Sequence, residues 1–177
     1  MRFIIILFCL ITCTACASDE EVSKVINPKD FFAKGLELYQ SDKRNIDVDT
    51  MLKMLEDENT VIIDVRSKRE YDCGHIQGAI NINSSDITEK NLLKHIPSKD
   101  KTLITYCSNS LHSLPLRMMA LSNLTLPLIY QLGYKNVYEL QPGFMSGDEQ
   151  LKKLPIIKNN DKEGNCCCVG EIKSENE

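Results

Sequence analysis

Two short β-branched runs, VIIDV at 61–65 and TLITY at 102–106, constrain the fold of this 177-residue chain more than any other feature. Each is apolar at consecutive positions and bounded by polar residues, the pattern of a strand buried on both faces. AINI at 79–82 and NVYEL at 136–140 repeat the pattern more weakly. Helical patterns lie between the runs. DVDTMLKMLEDE at 47–58 places apolar residues at 48, 51, 52, 54 and 55 behind an acidic start, and DITEKNLLKHI at 86–96 offers Asp86 as N-cap with Glu89 at the capping-box position. Strands alternating with helices predict an α/β fold, a parallel sheet covered on both faces with active residues on loops at the carboxyl ends of strands.

The two ends differ from this middle. MRFIIILFCLITCTACAS has one charge at Arg2, a short apolar run and small residues before an acidic stretch, the layout of an export signal over residues 1–16. Ala-Cys-Ala at 15–17 suits ordinary signal peptidase. Cys13-Thr14-Ala15-Cys16 resembles a lipobox, in which Cys16 takes the lipid; an uncleaved anchor ranks below both. The expected location is therefore outside the cytoplasm, periplasmic or lipid-anchored, with membrane contact only through that lipid. A net charge of -4 with few aromatics lacks the basic footprint of a nucleic-acid partner.

Residues 17–44 read as an extension with one short amphipathic helix, PKDFFAKGLELY, residues 45–155 as the domain, and 156–177 as a polar, disordered, cysteine-containing tail. Three of the eight cysteines fall in the export segment, leaving Cys73, Cys107 and the triplet Cys166, Cys167, Cys168. An odd number in an oxidising compartment requires at least one thiol to be free or in use.

Three ordered motifs carry a family resemblance. IIDVRSKREYDCGHIQGAINI at 62–82 resembles the first signature of rhodanese domains, LITYC at 103–107 resembles the strand entering their catalytic cysteine, and LGYKNVYELQPGF at 132–144 resembles their last strand and Gly-Phe element. The resemblance covers roughly residues 45–150. It implies a rhodanese-like three-layer sandwich with a central five-stranded parallel sheet, and transfer of sulfane sulfur through a cysteine persulfide without a cofactor. Cys107 would be the sulfur-bearing nucleophile. The backbone amides of Ser108, Asn109, Ser110, Leu111 and His112 would hold an anionic donor, and a small thiol or a protein thiol would accept the sulfur.

A thiolate is the attacking species, so such a loop must favour the ionised sulfur and tolerate an anion. This chain departs from the family loop at Ser110, where glycine is usual, and at His112, where arginine is usual. Serine in place of glycine implies either a costly backbone conformation or a loop of another shape. The segment from His112 to Gly133 is longer than usual, and Pro115 and Pro127 predict helical pieces near 115–123 and 127–132. Arg117 is a candidate replacement for the missing cation, set against the plainer reading of a surface arginine.

Cys107 itself has a plainer reading as a small buried apolar residue. Cys73 is a candidate resolving thiol, ranked below a partly exposed bystander. His75 is expected to hold a turn, and Asp64 and Arg66 to form a structural pair below the site. His75, His95 and His112 show no metal-ligand spacing. The cysteine triplet suits a sulfur acceptor or soft-metal ligand, or else intermolecular disulfides or acylation. The sequence thus points first to a sulfurtransferase. A binding module of the same fold that performs no turnover, or a thiol redox or metal-handling protein, are the alternatives.

Overall fold

The computed structural model describes residues 26–40, 43–111, 121–141 and 147–158, with the side chains of Asn109, Leu121, Asn123 and Asp148 excepted. The elements run α1 (Pro28–Gln40), β1 (Asn45–Ile46), α2 (Val48–Met54), β2 (Thr60–Asp64), α3 (Lys68–Cys73), β3 (Gly74–Ile76), β4 (Ile80–Asn81), α4 (Glu89–His95), β5 (Thr102–Tyr106), α5 (Leu121–Gln131), β6 (Val137–Leu140), α6 (Gly147–Lys152) and β7 (Ile156–Lys158). Five strands form one parallel sheet in the order β1-β6-β5-β2-β4, as the resemblance implied.

The two-residue period of a strand divides the core into two layers. Ile63, Leu103 and Val137 pack with Leu92, Leu126 and Ile129 on the face covered by α1, α4 and α5. Ile62, Ile104 and Leu140 pack with Val48, Met51 and Leu154 on the other. This is why VIIDV and TLITY are apolar without alternation: neither face meets water. By the same parity Cys107, two residues beyond Thr105, falls on the α5 face.

After β2 the chain moves outward to the edge strand β4, then returns to the opposite side of β2 as β5. Carboxyl ends of β2 and β5 therefore flank a topological switch point, where open α/β sheets make their crevices. The β2 end is fixed by a buried ion pair. Arg66 Nη2 lies 2.6 Å from Asp64 Oδ2 and donates to the Gly74 carbonyl at 2.6 Å, with both side chains fully buried. Asn81 Nδ2 donates to the carbonyls of Asp64 and Arg66 at 3.0 Å each, and Ile76 N–H donates to the Tyr106 hydroxyl at 3.0 Å. The Arg66 guanidinium also lies 5.6 Å from the Tyr106 ring centre. Burial alone would lower the Arg66 pKa; the hydrogen bonds and charge of Asp64 more than offset it.

Several local expectations are corrected. The N-cap of α4 is Thr88, whose hydroxyl accepts from Asn91 N–H at 3.1 Å, whereas Asp86 ends a 3-10 turn at Ser84–Asp86. Buried Ile87 pins the chain between them and delays the helix. Pro127 does not divide its segment, because α5 runs through it. The backbone bond lost there is outweighed by Leu126 and Ile129, both fully buried, and the ring packs against α1 at Gly35. Ile156–Lys158, assigned from sequence to the tail, pairs antiparallel with β3, setting Gly74 opposite Lys158. The export segment with Cys16, and Cys166–Cys168, lie outside the described residues. Among the described residues no helix is long and apolar enough to cross a membrane.

Breaking the buried pair should be costly. Arg66→Leu strands the Asp64 carboxylate and is expected to remove about 3–5 kcal/mol, read as a lower urea midpoint. Replacing both residues with leucine should recover part of that loss.

Candidate active site

Cys107 follows β5, the middle strand of the sheet, and is 3% exposed. It is a free thiol. The chain then turns through a 3-10 helix at Ser108–Ser110. Ser110 closes this turn without a left-handed backbone, and its side chain is part of the turn. Its hydroxyl accepts from Cys107 N–H at 3.3 Å, while Ser110 N–H and Leu111 N–H donate to the carbonyls of Cys107 and Ser108 at 3.0 Å each. Those two amides are bonded within the turn.

The other loop residues are placed as follows. Ser108 donates through Oγ to Glu70 Oε1 at 2.8 Å, tying the loop to α3. Asn109 lies in the turn. Leu111 is 7% exposed and packs with Tyr106 and Leu140 in the core layer away from α5. His112 and Arg117 lie outside the described residues.

Glu70 belongs to a reciprocal cap at the start of α3. Ser67 N–H donates to its Oε2 at 3.1 Å, Ser67 Oγ donates to the same oxygen at 2.7 Å, and Glu70 N–H donates back to Ser67 Oγ at 3.3 Å. Burial acts to raise the Glu70 carboxyl, but hydrogen bonds from Ser67 and Ser108 outweigh it and hold the pKa below its ordinary 4.5. The residue links the cap of one helix to the loop after the cysteine.

Cys73, at the end of α3, is disulfide-bonded, and its partner is not Cys107, which is free. A half-cystine has no thiol to attack a persulfide, so the resolving role considered for Cys73 is not available to it in this state. His75 Nδ1 sits 2.8 Å from the Tyr71 carbonyl, and its ring stacks on Tyr71 at 3.8 Å between centres, holding the turn into β3. No cluster of three or more metal-ligating side chains occurs among the described residues.

Behind the sulfur lies a group that sequence reasoning passed over. Cys107 Sγ is 3.4 Å from Ser122 Oγ on α5, and Ser122 donates in turn to Glu139 Oε1 on β6. Tyr39 of α1 donates to Glu139 Oε2 at 3.2 Å. Ser122 is fully buried and Glu139 is 1% exposed. The available signal was parity: Val137 and Glu139 share one face of β6, so a carboxylate had to lie in the layer that receives Cys107. Burial first, then the charge and hydrogen bond of Glu139, push the Tyr39 phenol far above its ordinary range. Tyr39 therefore remains a donor to the carboxylate at neutral pH.

A depressed Glu70 pKa stabilises the fold above the unfolded value and stops doing so as pH falls through the folded one. The stability advantage of the wild type over Glu70→Gln should thus be full above about pH 5 and shrink toward zero on acidification, measured by urea titration at successive pH values.

Comparison with known proteins bears on the family and the fold. A family model described as a rhodanese-like domain matches residues 47–150. A tRNA uridine(34) hydroxylase of Yersinia pestis is 27% identical over 115 residues; the match covers 61% of this chain and 29% of that protein, so the chain spans less than a third of that relative. The solution structure of a rhodanese-like domain from Anabaena sp. has a TM-score of 0.50 at 20% identity, covering 66% of this chain and 80% of the other. A thiosulfate sulfurtransferase from Pseudomonas aeruginosa has a TM-score of 0.50 at 15% identity, covering 73% of this chain and 23% of the other. The matched span takes in the β2 corner, the Cys107 turn and the Glu139 strand, and the chain belongs to the rhodanese-like domain family.

Proposed function

We propose that this protein moves sulfane sulfur as a Cys107 persulfide and works outside the cytoplasm after removal of its first residues. One observation carries the reading: Cys107, the free cysteine thiol among the described residues, sits on the loop that follows the middle strand, inside the span matched by the family. The Cys107 thiolate attacks the outer sulfur of the donor. A sulfur–sulfur bond forms, the donor's old bond breaks, and the leaving group departs with the electron pair, as sulfite from thiosulfate or a shortened polysulfide. An acceptor thiolate then takes the outer sulfur and regenerates Cys107.

The donor class follows from the loop. With two amides of the turn bonded to its own carbonyls, the cradle for a dianion is reduced. Polysulfide or a protein persulfide is therefore favoured over thiosulfate. The same feature favours a second reading, a rhodanese-fold module that binds a partner without turnover. The cysteine triplet remains a candidate acceptor within the chain.

Exposure of the mature chain to polysulfide should add about 32 Da to the peptide containing Cys107, and Cys107→Ser should abolish the gain. Thiosulfate should load it more slowly. No adduct from either donor would make the binding module the better account.

A further inference from the structure

We propose that Cys107 and Glu139 share one proton through Ser122, so that the sulfur becomes a nucleophile when its proton has passed to the buried carboxylate. The inference rests on the sulfur-transfer reading for its purpose, but its geometry stands independently. A serine hydroxyl has one hydrogen. When Ser122 donates it to Glu139, the 3.4 Å contact to Cys107 is made by the thiol S–H donating to Ser122 Oγ. The chain of donors then runs from Cys107 through Ser122 to Glu139, which is the arrangement of a proton relay.

Moving along it, the thiol proton goes to Ser122 Oγ as the serine proton goes to Glu139 Oε1. The products are a Cys107 thiolate, an intact serine hydroxyl now donating to the sulfur, and a neutral Glu139 carboxyl. One negative charge is present before and after. That matters for a buried sulfur that must meet an anionic donor, since like charges at close range oppose each other strongly away from water. With thiosulfate, thiolate and dianion give a persulfide anion and sulfite, and charge balances. When an acceptor thiolate later takes the sulfur, the regenerated Cys107 thiolate recovers its proton from Glu139 by the same route.

The groups facing this centre come from three elements besides the Cys107 turn. Tyr39 of α1 donates to the second carboxylate oxygen, and Ser122 is contributed by α5. On the chain entering β1, Arg44 accepts Glu139 N–H at its carbonyl, while its guanidinium donates to the carbonyls of Lys135 and Val137 and lies 5.5 Å from the Tyr130 and Tyr138 ring centres. Glu139 makes further contacts beyond these. They would set the balance between the two proton positions, and the shared proton does not depend on their absence.

The test is the rate of Cys107 alkylation by iodoacetamide across the pH range, followed on the Cys107 peptide by mass. This readout does not require sulfur transfer. A shared proton gives the wild type two ionisation steps separated by a stretch in which the rate is independent of pH. Glu139→Gln, of nearly the same shape, should collapse this to one step and react faster than the wild type on the basic side of the first step. Ser122→Ala should lower the intermediate stretch about tenfold, the loss of one hydrogen bond to an ionised sulfur, and Ser122→Thr should restore it. A purely structural role would change thermal stability and leave the number of steps alike in wild type and Glu139→Gln. A single step in the wild type overturns the proposal even if a variant fails to fold. Two steps without any persulfide would uphold the shared proton and remove the sulfurtransferase reading.

Discussion

A guanidinium with no access to water must have its charge answered within the fold, and Arg66 is answered at a single place. Asp64 supplies the opposite charge, Gly74 supplies a carbonyl, and the Asp64 and Arg66 carbonyls are themselves bonded by Asn81. Desolvating the two ions costs several kcal/mol each unless this geometry holds. The requirement therefore fixes how β2, β3 and β4 meet. Tyr106 joins them through Ile76, so the end of β5, and with it the position of Cys107, is set by the same corner.

From that corner the site follows by parity. A strand buried on both faces sends successive side chains into different layers, and Cys107 falls in the layer of α5 and β6. Because Thr105 and Glu139 are in register, the cysteine beyond Thr105 comes to a serine on α5 that already holds the Glu139 carboxylate. The loop in front is shaped by Ser110 and held from α3 by Glu70. Chemistry at the sulfur is thus governed from two sides: a turn that has used two amides internally, and a polar chain behind that can accept a proton.

Much of the sheet was legible in the sequence because consecutive apolar, β-branched residues have few other stable uses. VIIDV and TLITY became β2 and β5, and the rhodanese motifs placed Cys107 at a strand end. The shortest strands were illegible. Asn45–Ile46 and Gly74–Ile76 carry too few residues for a pattern, and Ile156–Lys158 is a strand only because β3 offers it an edge. Pro127 misled because tertiary burial outweighed a local backbone loss. The Ser122–Glu139 pair was missed for a different reason. NVYEL was a weaker strand candidate, and neither its glutamate nor Ser122 stands in a motif until the sheet and α5 bring both to Cys107.

The central claim is that sulfur is carried on Cys107 in a form that can be handed on. The direct measurement is cyanide release from protein loaded with polysulfide and freed of excess donor, with Cys73 and the three tail cysteines replaced by serine so that Cys107 is the one thiol left to load. A persulfide and cyanide give a thiolate and thiocyanate. The account predicts about one thiocyanate per chain from this protein and none when Cys107 is also serine. Thiocyanate that persists without Cys107, or none from the loaded protein, would contradict it.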